Sequence, residues 1–225
     1  MTERVLLLVG SSGPERTPAR LDPEDSDWFL PLHLREPGSA RERIARQVEV
    51  GADVVVAPTW LTHRRALLPL GETRRASDWS AAAVRLAREA VEIGLERRAE
   101  ALAEVPAHDP RRDRPAPLVA ASLPSLDDDP VPESGRLLPH EAASQRDYRE
   151  QAGWLADAQP DLLLVEGQRT EGSARVAVTE AVETGLPVWL ALTPAATTAS
   201  GTERCLDWCS AAGVARLLLP PPLAS

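Results

Sequence analysis

Short runs of consecutive apolar residues alternate along this chain with longer stretches whose apolar residues recur every three or four positions. The short runs are Val5–Val9, Val54–Ala57, Leu118–Ser122, Leu162–Val165, Val188–Leu192 and Ala215–Leu219. They are apolar throughout rather than alternating, the pattern of strands buried on both faces, as in parallel sheets. The longer stretches predict helices. Ser39 and Glu42 make an S-x-x-E capping box, followed by an apolar stripe of Ile44, Ala45 and Val48 that stops at Gly51. Ser80 to about Val105 is a long helix with Val84, Ala87, Val91 and Leu95, and Glu141 to Ala158 places Tyr148, Gln151 and Leu155 near one face. Glu171 to Thr184 repeats Ala174, Ala177, Val178, Ala181 and Val182 before Gly185, and Glu203 to Ala212 precedes Gly213. A β/α alternation of this kind closes as an eight-stranded barrel or opens as a doubly wound sheet. Six units predict an α/β fold of one domain, residues 1–225, built as an incomplete TIM-type barrel or a small open sheet.

Three segments break the rhythm. Thr17 to Gly38 is rich in Pro, Asp and Glu and holds Trp28 and Phe29, Ala107 to Pro117 reads as an exposed loop, and Asp127 to Gly135 is acidic with Pro130 and Pro132. The loops after strands one, two and three are long, and the connection after strand four is tight. In β/α folds the loops that follow the strands build the site, so any pocket belongs at that end.

Composition narrows the class of function. A net charge of -9 argues against nucleic acid as a partner, because phosphate binding needs clustered basic surface. All 25 basic residues are arginine, which removes Schiff-base chemistry and a lysine general base. The opening MTERVLLLVG is too short an apolar run for a signal peptide, and no stretch approaches the ~20 apolar residues of a membrane span, so the expected compartment is the cytoplasm. Cys205 and Cys209 do not make a disulfide framework.

Four stretches can carry chemistry. Gly10-Ser11-Ser12-Gly13 follows strand one, where a glycine-rich turn can turn backbone N–H groups toward an anion. It has neither the lysine of a P-loop nor the spacing of a dinucleotide fingerprint, and an unliganded turn is the plainer reading. Thr59 and Trp60 end strand two, where Trp60 reads equally as site or core aromatic. Glu166 ends an otherwise apolar strand four. Burying it unpaired would be costly, so it is expected to face a polar pocket, binding an ammonium group or acting as a base; a salt bridge to a loop arginine is the alternative. Cys205 and Cys209, at i and i+4 on a helix, could supply two zinc ligands but have no companions, so a core role is favoured. The histidines 33, 63, 108 and 140 are scattered; only His63 has a plausible pocket position, and a solvated loop residue is its plainer reading.

Taken in order, these segments resemble the homocysteine S-methyltransferase family over nearly the whole chain. LLLVGSSGPE is similar to the family's opening strand and D-G-x-x-G-T-E turn, and GADVVVAPTW to G-A-D-x-x-x-T-N-T-[FY]. AVRLAREAVE resembles the helix that follows, and PLVAASLPS resembles V-A-G-S-x-G-P. YREQAGWLADAQPDLLLVEG resembles H-R-x-Q…L-A-x-A-G-x-D-L-L-x-x-E-T, and TGLPVWLALT resembles G-L-P-V-W-x-S-x-T. The resemblance implies a (β/α)8 barrel in which three cysteines hold zinc, one after strand six and a pair in a G-G-C-C turn near strand eight. The zinc holds homocysteine as a thiolate that attacks an activated methyl group. A metal is useful there because a thiol is a weak nucleophile near neutrality.

Carried over residue by residue, the match is partial. Glu166 matches the acid that binds the homocysteine amino group. Gly10, Gly13 and Glu15 match the opening turn, but Val9 and Pro14 stand in place of its aspartate and threonine. Thr59 matches the second threonine of T-N-T, Pro58 replaces the asparagine, Trp60 stands for Phe or Tyr, and Ser122 matches the serine of strand three. The cysteine after strand six would fall within Leu219–Pro222 and is absent, and the chain stops before the G-G-C-C turn. The expectation is therefore a truncated, diverged member that has lost the zinc site and needs no cofactor. It would bind a small amino acid or thiol through Glu166, Thr59, Trp60, Gly10 and Ser122, with methyl transfer to a thiol if active. The competing expectation is a non-catalytic interaction or regulatory module whose open edges, strands one and six, are covered by a second copy or a partner chain. A lyase or hydrolase using Glu166 as general acid–base is a third.

Overall fold

The computed structural model describes residues 6–9, 31–106, 108–109, 111–126, 141–168, 170–192 and 207–218. Six strands run in chain order: β1 Leu8–Val9, β2 Val54–Ala57, β3 Leu118–Pro124, β4 Leu162–Glu166, β5 Val188–Ala191 and β6 Arg216–Leu218. They form one sheet in the order β1-β2-β3-β4-β5-β6, and every neighbouring pair is parallel. A sheet whose spatial order equals its chain order, with helices between strands, is the open form of a β/α barrel rather than a doubly wound sheet, where the order reverses.

The helices are α1 Leu32–Arg35, α2 Pro37–Glu49, α3 Arg64–Leu67, α4 Ala76–Ala101, α5 Glu141–Asp157 and α6 Glu171–Val182, with a last helix α7 at 207–212. Each predicted long helix is present, with shifted ends. The capping box predicted at Ser39 is not formed. Pro37 opens α2 with Glu36 as its uncapped N-terminal neighbour, which leaves Ser39 inside the first turn. Glu42 instead takes both guanidinium nitrogens of Arg97 at 3.0 and 2.9 Å and Arg46 Nε at 2.8 Å. Helix α4 begins four residues before Ser80, after a 3₁₀ turn at Thr73–Arg75. The short helices α1 and α3 carry no long apolar stripe, so periodicity passed over them.

Strand parity sorts the core into two layers. Val55, Ala57, Val119, Ala121, Leu123, Leu163, Val165, Val188 and Leu190 pack outward against the helices. Val54, Val56, Ala120, Leu162, Leu164 and Trp189 face the barrel interior. With both faces apolar, polar side chains are confined to the strand ends. At the N-terminal end this appears twice. The Asp53 backbone N–H donates to Leu7 O while its carboxylate accepts from Leu7 N at 3.0 Å. Asp161 does the same with Val119, at 2.8 and 2.6 Å. Each aspartate thus ties the start of its own strand to the strand before it. Among the described residues no helix is long and apolar enough to cross a membrane.

Helices α2 and α4 meet at Gly94, where a Cβ would lie 2.5 Å from Ala45 O and 2.5 Å from Val48 Cβ. Alanine is the better helix former by up to ~1 kcal/mol. The contact is with backbone oxygen, so Gly94→Ala has to push the helices apart, and overpacking of this kind costs about 1–3 kcal/mol. A net loss in urea-unfolding free energy is expected for this variant; an increase would contradict the close packing.

Candidate functional site

Parity carries the interior face of β3 from Ala120 to Ser122, and that of β4 from Leu164 to Glu166. The two polar side chains therefore emerge together at the C-terminal end of the sheet. Ser122 Oγ donates to Glu166 Oε1 at 2.5 Å, and Ser122 itself is fully buried while Glu166 is partly accessible. The carboxylate is thus oriented by a neutral donor on the neighbouring strand.

Thr59 follows β2 by one residue after Pro58 and is fully buried. Its hydroxyl donates to Ser122 O at 2.9 Å, so it ties the β2 end to the backbone of the serine that orients Glu166. Trp60 is partly accessible and lies across Gly167: a Cβ on Gly167 would sit 2.9 Å from Trp60 Cη2. Gly167 has φ +73°, a left-handed conformation that already favours glycine, and the indole leaves no room for a side chain. Four of the five residues singled out from the sequence, Thr59, Trp60, Ser122 and Glu166, are thereby brought to one end of β2, β3 and β4. The fifth, Gly10, lies outside the described residues, as do Gly13 and Glu15.

Behind these residues runs a buried polar lattice that the sequence did not reveal. Thr62 Oγ1 donates to Thr59 O at 2.9 Å and receives Ser80 Oγ at 2.8 Å and Gln151 Nε2 at 3.2 Å. The α5 face predicted from Tyr148, Gln151 and Leu155 is buried as expected, and it is the face that reaches the loops. A hint was available: Tyr148 and Gln151 put polar groups at helical spacing on a stripe that must be buried, and buried polar groups need partners.

His63 corrects an expectation. It is not solvated but buried, and its Nδ1 accepts from Ala66 N at 3.3 Å as the N-cap of α3. Burial, with a smaller contribution from the Arg65 charge, lowers its pKa to about 3. His33 is also buried; desolvation lowers its pKa to about 4 despite the nearby carbonyls of Pro58 and Trp79. The arginines after His63 fasten this segment to α5. Arg65 Nη2 lies 2.7 Å from Asp147, Arg64 Nε 2.6 Å from Glu150, and the Arg64 guanidinium stands 5.0 Å from the Trp154 ring.

Cys209 is buried on α7 in the outward, helix-facing layer, and Cys205 lies outside the described residues. Among the described residues no group of three His, Cys, Asp or Glu is arranged to hold a metal ion. The sequence after β6, LPPPLAS, contains no cysteine.

Sequential parallel strands alternating with helices define this chain as an incomplete β/α barrel. The sequence profile of the homocysteine S-methyltransferase family matches residues 27–216, and the chain belongs to that family. It is similar to solved structures of the homocysteine methyltransferase MmuM from Escherichia coli. The metallated form is 20% identical, with a TM-score of 0.71 over 96% of this chain and 75% of that one. The oxidized form is 21% identical, with a TM-score of 0.68 over 96% and 73%. At these identities the likeness speaks for the fold. A comparison with curated proteins found no match.

Both buried histidines are neutral in the folded chain and readily protonated in the unfolded one, so the unfolded state binds more protons below pH 6.5. Stability is then complete above that pH and falls as pH drops toward 4, by on the order of 2 kcal/mol per histidine at pH 5. Urea midpoints at pH 7 and pH 5 measure this. His63→Asn, which keeps a capping side chain but does not titrate, is expected to reduce the pH dependence; an unchanged slope would contradict the assignment.

Proposed function

We propose that this chain binds a small amino acid or amino-thiol of the homocysteine class at the C-terminal ends of β2, β3 and β4. Glu166 takes the ligand's ammonium group, Ser122 holds that carboxylate in place, and Trp60 forms an apolar wall beside it. Thr59 supports Ser122 from behind. The observation that carries this reading is the Ser122–Glu166 pair at 2.5 Å, on the interior face at the site end of a chain matched to this family. A charge-assisted hydrogen bond between a carboxylate and an ammonium group is about twice as strong as a neutral one.

Methyl transfer in this reading moves a methyl group from an activated donor to the ligand's sulfur: the donor's leaving group departs with the bonding electron pair, and the thiol proton passes to solvent. A free thiol, with pKa near 8.5, is mostly protonated near neutrality. In this reading the chain binds its ligand without a cysteine-held metal. The interaction-module reading rests on β1 and β6, each of which pairs with a single strand among the described residues.

Calorimetric titration with homocysteine tests the main reading. Wild-type chain is expected to bind. Glu166→Gln keeps the shape and the acceptor for Ser122 but loses the charge, and is expected to weaken binding by about 10- to 100-fold, the worth of a hydrogen bond to a charged group. Equal affinity of the two proteins would exclude Glu166 as the ammonium site.

A further inference from the structure

We propose that Tyr148 is the positioning residue of the strand-end site: its hydroxyl fixes the turns after β3 and β4 against each other and so sets the place of Gly167 and of the Trp60 ring above it. The Tyr148 side chain is 1% exposed and rises from the buried face of α5. Its hydroxyl accepts Leu126 N at 3.1 Å from the turn after β3 and donates to Gln168 Oε1 at 3.0 Å in the turn after β4. Ser173 Oγ, in the first turn of α6, donates to the same Gln168 oxygen at 2.6 Å. Gln168 Nε2 reaches back to Glu166 O at 3.4 Å, closing the turn that contains Gly167.

Gly167 is in contact range of both the turn after β3 and the Trp60 ring. A Cβ on Gly167 would lie 3.8 Å from Ser125 N as well as 2.9 Å from Trp60. Gly167 in its left-handed conformation therefore lies between the Trp60 ring and the turn after β3, with the Glu166 carboxylate one residue away. Glycine holds such a conformation only weakly by itself, since it has the greatest backbone freedom to lose. Gln168 is the neighbour that restrains it, and Gln168 is held by Tyr148 and Ser173. The tyrosine ring fills the core, whereas the hydroxyl alone joins the two turns, and Phe separates these roles.

The test reads Trp60 without any ligand. Acrylamide quenching is measured for wild type and Tyr148→Phe, each with and without Trp60→Phe, so that the difference isolates Trp60 from the other five tryptophans. If the hydroxyl positions the turns, the Trp60 quenching constant rises by about twofold or more in Tyr148→Phe, as expected when a half-covered ring loses its support. Ser173→Ala, which leaves the core untouched, is expected to give a smaller rise, and it decides the matter if Tyr148→Phe does not fold. A second arm, which rests on the ligand reading above, expects homocysteine affinity to fall by about tenfold in Tyr148→Phe, the scale of one lost hydrogen bond. Unchanged Trp60 quenching in both variants would overturn the proposal, whatever happens to the urea midpoint. Failure of wild type to bind homocysteine would instead refute the ligand reading, and the quenching result would still decide the role of Tyr148.

Discussion

Burial of the strands on both faces is the constraint from which the rest of this structure follows. Neither the interior layer of Val54, Val56, Ala120, Leu162, Leu164 and Trp189 nor the outward layer can take an unpaired polar group without a cost of a few kcal/mol. Polar residues are therefore driven to the strand ends, and the two ends are used differently. Asp53 and Asp161 stitch each strand's start to its predecessor through paired backbone and carboxylate bonds. Ser122 and Glu166 stand at the opposite end, where the carboxylate has one oriented oxygen and partial exposure. The first arrangement serves the fold, and the second places a partly exposed carboxylate at the C-terminal end of the sheet.

Helix α5 braces the loops around that carboxylate. One helical face supplies Gln151 to the loop after β2 through Thr62, and Tyr148 to the turns after β3 and β4. On the outer side of the same loops, Asp147 and Glu150 anchor Arg65 and Arg64. The site end is thus built from loop segments far apart in sequence but braced on a single helix. Arg149 on α5 also meets the buried Glu180 of α6 at 2.8 Å, which fixes the brace to the next helix.

The fold was legible because two-faced strands leave short uninterrupted apolar runs, and each of the six runs overlaps an observed strand. Glu166 was legible for the same reason, since a polar residue closing an apolar strand stands out, whereas Ser122 was picked out only through the family resemblance. Tertiary competition hid the rest. The S-x-x-E signal at Ser39 satisfied a local rule, but Pro37 starts the helix earlier and Glu42 finds arginines on two helices. His63 looked like a loop residue because nothing near it in sequence shows that α5 covers it. The Tyr148–Gln168–Ser173 lattice joins residues on two helices and a turn, and no spacing rule on one segment records such a meeting. Gly167 was a glycine after a strand like any other until the Trp60 ring was placed on it.

The central claim is that the interior C-terminal ends of β3 and β4 form the ligand site. A crystal structure of the chain with homocysteine bound tests it most directly. The account predicts the ligand's amino nitrogen at hydrogen-bond distance, about 2.7–3.0 Å, from the Glu166 carboxylate, with Ser122 Oγ still on Oε1. Homocysteine bound elsewhere with Glu166 untouched would contradict it.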